Sequence, residues 1–208
     1  MDYGKALDLQ RALAKARMER RVSDILILLE HHHVITLGRG ADQGHLVADE
    51  ATLRERGVKV YNVERGGDIT YHGPGQLVGY PIMDLTQYGS DLHLYIRNLE
   101  EVLIQALKDL GIEAGRRAGL IGIWAGGGKI ASIGVHVKRW VTWHGFALNV
   151  NTDLSYFDLT IPCGLSGIRV TSIASILGRE VPMGEVMDKV VSRFSWIFQV
   201  NVKEGRLP

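Results

Sequence analysis

The chain carries a single thiol, Cys163, in the frame Ile161-Pro162-Cys163-Gly164-Leu165. A proline and a glycine on either side favour a loop over an apolar strand face. Two readings stand side by side: a reachable nucleophile, or a small buried hydrophobe of the kind most free cysteines are. A nucleophilic cysteine needs a lowered pKa or a nearby base. No histidine adjoins it, so that help must come from elsewhere in the chain. Lys129 is the candidate, following Gly126-Gly127-Gly128 and preceding Ile130-Ala131-Ser132. The ordinary reading of a lysine is a solvated surface charge. Three glycines weaken that reading, because they leave little bulk to shield the ammonium from a ligand. An ammonium near a thiol favours the thiolate, and a partly desolvated lysine can exchange protons with an incoming amine.

A second concentration of reactive groups is Glu64-Arg65-Gly66-Gly67-Asp68-Ile69-Thr70-Tyr71-His72-Gly73-Pro74-Gly75-Gln76. Strand-like segments flank it, so it reads as a glycine-rich loop between two strands. Glycine permits positive φ and lets a ligand approach main-chain N–H groups. A plain turn would not call for Arg65, Tyr71 and His72 together. For His72 a structural role is favoured over a catalytic one. Two nucleotide motifs fail. A phosphate-binding loop needs Gly, four residues, then Gly-Lys-Ser/Thr, but Ile123 stands where the first glycine belongs and Ile130 follows Lys129. A dinucleotide fingerprint begun by Gly73 and Gly75 finds Val78 at its third glycine.

Composition narrows the class. At 208 residues one domain spanning 1–208 is expected. The hydrophobic fraction of 46% and charged fraction of 23% suit a globular protein with a sizeable core. A formal net charge of +1 gives no electrostatic case for a nucleic-acid partner. No apolar run approaches the ~20 residues of a membrane span, and Met1-Asp2-Tyr3-Gly4 does not open like a signal peptide. One cysteine fits a reducing cytosol. A metal site is not indicated, since His31-His32-His33 cannot share one face of a strand or helix.

The elements that must position these groups follow from periodicity. Lys5 to Arg20 reads as an amphipathic helix with Leu9, Leu13 and Ala16 on one face. Ile25 to Leu29 is an apolar run expected to be a strand buried on both faces, and the histidine triplet a crossing loop. Asp49 to Arg56 reads as a short helix closed by Gly57, and Val58 to Val63 as the strand entering the glycine-rich loop. Leu77 to Asp84 leaves it. Ser90 or Asp91 can cap a helix to about Leu110 with the stripe Leu92, Ile96, Leu99, Leu103, Leu107 and Leu110. Leu120 to Trp124 and Lys129 to Lys138 form strands about the glycine turn, the second alternating Ile133, Val135 and Val137 with Ser132, Gly134 and His136. Trp140 to Val150 reads as its hairpin partner. Asp153 to Gly167 reads as loop, Thr171 as the cap of a short helix, and Gly184 to Phe198 as the last helix. Interleaved strands and helices with hairpin-like pairs predict an α/β fold: a mixed sheet with helices packed on it.

The run Arg65-Gly66-Gly67-x-x-Thr70-Tyr71-His72-x-Pro74-Gly75-Gln76 resembles the signature of the lipoyl(octanoyl) transferase family. Gly-Gly-x-Lys129-Ile-Ala-Ser-Ile-Gly and Pro162-Cys163-Gly164 match two further family patterns in the same order, and Glu30-His31 with Thr36-Leu37-Gly38 a fourth. The likeness runs from Glu30 to about Ile176. His32-His33, where the family often has proline, and Asp68 depart from it. The resemblance implies a lipoate/biotin protein ligase-like catalytic domain. It implies catalysis by Cys163 paired with Lys129. It implies an acyl pocket lined by Arg65, Gly66, Gly67, Asp68, Ile69, Thr70, Tyr71 and His72, by Ser132, Ile133 and Gly134, and by Gly145, Phe146 and Ala147. For the small residues among these, close strand packing explains the sequence equally well. The implied reaction moves an octanoyl group from octanoyl acyl carrier protein to a lysine of apo lipoyl domains, those of 2-oxoacid dehydrogenase E2 subunits and of glycine cleavage H protein. An S-octanoyl Cys163 intermediate lies between, and neither metal nor nucleotide takes part. Oxyanion donors are expected near Gly73 or Gly164. A cytoplasmic monomer without membrane contact is expected. The alternatives are an ATP-dependent ligase on the same fold, an amidotransferase between lipoyl domains, and a non-catalytic acyl or lipoyl-domain binder.

Overall fold

The structure, a computed structural model, describes residues 1–161 and 167–205. Helix α1 (Tyr3–Met18) begins two residues earlier than periodicity predicts because the Asp2 carboxylate caps it through the Lys5 N–H. Its buried side includes Ala6, Leu7, Gln10, Leu13 and Arg17; Arg17 is buried because it pairs with Asp24 at 2.6 Å.

Among the described residues nine strands make two sheets. β1 (Ile25–Leu29), β5 (Gln76–Ile82), β9 (Val141–Asn149), β8 (Gly128–Lys138), β7 (Leu120–Ala125) and β6 (Ala114–Arg117) form the larger, in that order. Every pairing within it is antiparallel. β3 (Lys59–Asn62), β2 (Val34–Leu37) and β4 (Ile69–His72) form the smaller, which supplies the mixed character: β2 runs parallel to β3 and antiparallel to β4. The edge place of β1 leaves its residues half-buried, not buried on both faces as the apolar run suggests. β5, paired on both sides, is buried throughout. β6 has no counterpart among the expected strands, because Ala114-Gly115-Arg116-Arg117 has no apolar alternation.

α1 covers one face of the large sheet, packing Ala6 against Val78, Tyr80 and Ala147. α3 (Leu92–Lys108), capped by Asp91, and α5 (Met183–Phe198) cover the other. There Leu99, Leu103 and Leu107 meet Phe146, Leu148 and Ile123 in the main core, joined by Val186, Val190 and Phe194. α2 (Glu50–Glu55) is capped by Asp49, with Gly57 at φ +65° beyond its end. α4 (Ile173–Leu177) is capped by Ser172, not Thr171. Thr171 is engaged elsewhere: its N–H donates to the Lys129 carbonyl and its own carbonyl accepts from Asn149. Residues 154–159 coil into a 3-10 turn where loop is expected. Among the described residues no helix is long and apolar enough to cross a membrane.

Candidate active site

The glycine-rich run is not one loop. Ile69–His72 is strand β4, laid against β2, and it divides the run into two halves with different tasks. Residues 65–70 face a cleft of about 560 Å³ between the two sheets, within the range of small-ligand sites. Arg65 is 7% exposed. Its Nη2 donates to the Thr36 carbonyl at 2.7 Å and to Oγ1 at 2.9 Å. The loop it starts crosses Gly38 so closely that a Cβ there would stand 2.4 Å from the Gly67 oxygen. The conformation of this wall therefore depends on glycine at position 38. Asp68 is held from behind by His45 Nδ1 at 2.6 Å.

The second half of the run builds scaffold. Tyr71 is fully buried and points away from the cleft into a cluster with Phe157 and Tyr156; its place corrects the expectation that it lines the acyl pocket. Its hydroxyl bonds His33 Nδ1 at 2.8 Å and occupies the space of a Gly73 Cβ, which would lie 1.9 Å away. Gly73 is thus committed to packing and is not among the cleft-lining residues; Gly164 lies outside the described residues. Gly75, at φ +76°, donates to Glu30 Oε2 and accepts from Val150, Asn151 and Thr152. Gln76 donates to the Tyr71 carbonyl and to Asn149 Oδ1. Asn149 donates in turn to the Thr171 carbonyl, and the Thr171 N–H to the Lys129 carbonyl. A continuous series of hydrogen bonds thus links the end of the glycine-rich run to the lysine.

Every other expected binding residue lines the cleft: Arg65 to Thr70, His72, Ser132 to Gly134, and Gly145 to Ala147. Lys129 joins them at 6% exposure. Its backbone is clamped by a parallel bridge to Val170, with its N–H donating to the Arg169 carbonyl at 2.7 Å. Ile168 lines the same cleft, five residues along the chain from Cys163. Cys163 itself lies outside the described residues. The small residues are packing sites as well. The Phe146 ring covers Gly79, and a Gly145 Cβ would meet the Gly79 carbonyl at 2.2 Å.

Sequence reasoning missed part of the lining: Tyr3 from α1, Tyr80 from β5, Leu92 and Ile96 from α3, and Leu120, Ile121 and Trp124 from β7. The apolar positions of α3 were legible as core, but nothing in their spacing marks which of them open onto a cavity. Tyr3, His72 and Tyr80 line the cleft, and the His31 ring packs against all three. His72 Nδ1 bonds Gln76 Oε1 at 2.8 Å, and burial pushes its pKa down to about 3. His31, bonded to the Tyr80 hydroxyl at 2.7 Å, is pushed down to about 4 by burial. Glu64 is held far below the usual carboxylate range by His144 beside it, and then by Arg11 and Trp143. The wall is therefore apolar or neutral except for Arg65, Arg39, Asp68 and Lys129. The cleft thus combines apolar walls with the three basic side chains Arg39, Arg65 and Lys129.

Comparison with known proteins identifies the family and the fold. The family model "Lipoyl protein ligase A/B catalytic domain" matches residues 2–195. An octanoyltransferase of Solibacter usitatus is 50% identical over 205 residues, covering 99% of this chain and 92% of that protein. Among solved structures, lipoate-protein ligase A bound with ATP superposes with a TM-score of 0.77 at 18% identity, over 94% of this chain and 82% of that one. A biotin protein ligase from Aquifex aeolicus, in complex with biotin and ATP, gives 0.54 at 18% identity, over 80% and 70%. These two likenesses concern the fold alone: an α/β sheet structure shared by lipoate and biotin ligase catalytic domains. By the family model and the identity to its relatives together, the chain belongs to the octanoyltransferases of the lipoyl protein ligase A/B catalytic-domain family.

Proposed function

We propose that the chain transfers an octanoyl group from octanoyl acyl carrier protein to a specific lysine of apo lipoyl domains, those of 2-oxoacid dehydrogenase E2 subunits and of glycine cleavage H protein, with Cys163 and Lys129 as the catalytic pair. The observation that carries this reading is the position of Lys129 in an apolar cleft whose other walls are Arg65 to Thr70, Ser132 to Gly134 and Gly145 to Ala147. Burying an alkyl chain contributes about 0.8 kcal/mol per methylene, so such a cleft selects a chain of matching length. The Cys163 thiolate attacks the donor thioester carbonyl; the new C–S bond forms as the carrier's thiolate leaves and takes a proton from the Lys129 ammonium. The acceptor's neutral ε-amine then attacks the S-octanoyl carbonyl, an amide forms, Cys163 leaves as thiolate, and the amine's proton passes to the now neutral Lys129, restoring the ammonium. Lys129 stabilises the thiolate in both the first and last states. Covalent catalysis divides one transfer between two proteins into two binary encounters. A thioester is already activated, so neither metal nor nucleotide is required. The working form is a single-domain cytoplasmic monomer.

The test is intact-protein mass spectrometry after mixing with octanoyl acyl carrier protein in the absence of ATP, for the native chain and Cys163→Ser. A hydroxylamine-labile octanoyl adduct on the native chain alone, discharged by an apo lipoyl domain, is expected. Transfer that requires ATP and survives Cys163→Ser would sink the reading in favour of a ligase.

A further inference from the structure

We propose that Gly122 and Trp124 are positioning residues that aim the Lys129 ammonium into the cleft, through a slot in β7 and the face of the indole. The proposal rests on the assignment of Lys129 to the reaction above.

Three observations converge on it. First, the β7–β8 pairing breaks register beside the lysine. Ile123 lies opposite Ala131 and Trp124 opposite Lys129, so Ile130 has no opposite number, and such a bulge re-aims the side chains next to it. Second, Gly122 has φ +126°, and a Cβ there would lie 2.6 Å from the Ala131 carbonyl oxygen, 2.8 Å from Lys129 Cε and 3.4 Å from Nζ. The lysine chain fills the volume that any larger residue at 122 would claim; glycine is required there by the lysine as much as by the backbone. The Gly122 N–H is held in turn by Glu100 Oε1 at 3.3 Å. Third, Lys129 Nζ stands 5.5 Å from the centre of the Trp124 ring, as does Arg117 Cζ. Trp124 lines the cleft at 6% exposure, so its contact with the ammonium is largely desolvated, where cation–ring attraction is strongest. The indole Nε1 makes no hydrogen bond among the described residues. The ring is thus placed by packing and by its two cations, and its value to the site lies in its face.

With the Lys129 backbone clamped to Val170 and its Cε and Nζ laid in the Gly122 slot, the ammonium has little freedom to swing to solvent. Pre-organising a charged group removes the ordering cost from the reacting state.

The experiment replaces Trp124 by mono-, di- and tetrafluorotryptophan at that position alone, which keeps ring shape while draining the π face, with Trp124→Leu and Lys129→Ala beside it. Octanoyl transfer and the pH dependence of Cys163 alkylation, unambiguous in a chain with one cysteine, are measured in each. The expected result is a stepwise fall in kcat/KM with fluorine count, totalling roughly threefold to thirtyfold, the span of a cation–ring contact. KM for the donor stays within about twofold, and the alkylation midpoint moves to higher pH in the same order. A full fluorine series with native rates and a native alkylation profile, while Lys129→Ala is slow, overturns the proposal and leaves the proposed function standing. If Lys129→Ala itself transfers at the native rate, both fall together.

Discussion

At the residue scale, the decisive group is Lys129, and its site shows why a common surface residue is legible as something else. Three glycines before it and small residues after it promised an uncovered ammonium, and the structure gives it cleft-lining status at 6% exposure. Lys129→Ala should lower kcat/KM for octanoyl transfer on the order of a hundredfold or more while the chain stays folded at the assay temperature; steady-state kinetics beside a melting curve will read both. Tyr71 is the opposite case. Its motif neighbours line the cleft, yet its own ring packs beneath His33 and Tyr156. A short motif reports residue types and not which face each presents, and here the face was hidden because the run read as loop. Tyr71→Phe removes the bond to His33 and should cost about 1 kcal/mol of stability, with KM for the acyl donor unchanged. A raised KM with unchanged stability would return Tyr71 to the acyl pocket.

At the scale of elements, α3 and the β8–β9 hairpin were the most readable, because each carries a long run of one period: the leucine stripe of α3, and the alternation of Ile133, Val135 and Val137 in β8. β4 and β6 were not, for different reasons. β4 is four residues of mixed polarity inside a glycine-rich context, and its strand state comes from pairing with β2. β6 is held by pairing to β7 and by Arg116, which reaches Glu100 and Glu101 on α3. Neither cause is local, so local periodicity could not carry it. Phe146 lies over Gly79 on the neighbouring strand, where a Cβ would stand 2.1 Å from the ring's Cζ. Gly79→Ala should therefore destabilise the chain by about 1–3 kcal/mol, the cost of overpacking a filled core. Adding Phe146→Leu should recover part of it; urea denaturation of the single and double variants measures the coupling.

At the scale of the whole molecule, pH joins stability to two buried histidines. Unfolded, both His31 and His72 titrate near 6.5; folded, burial holds them at about 4 and about 3. Below pH 6.5 the unfolded chain binds protons that the folded chain refuses. Stability is therefore full above that value and falls with pH down to about 4, by up to about 1.4 kcal/mol per pH unit for each histidine. Urea midpoints taken at pH 7, 6 and 5 should descend in that order, and His72→Gln should flatten the descent. A flat series for the native chain would mean that water reaches these rings. The hydrogen-bonded series from Gln76 through Asn149 and Thr171 to the Lys129 backbone has a practical meaning for anyone seeking to retarget the site to other acyl groups. The residues after β4 are wired to the reacting end, and randomising them would jeopardise turnover before it changed selectivity. The stretch Gly66 to Thr70 stands outside that wiring while still lining the cleft. It is the stretch in which a mutant library can explore new substrates while the chemistry stays intact.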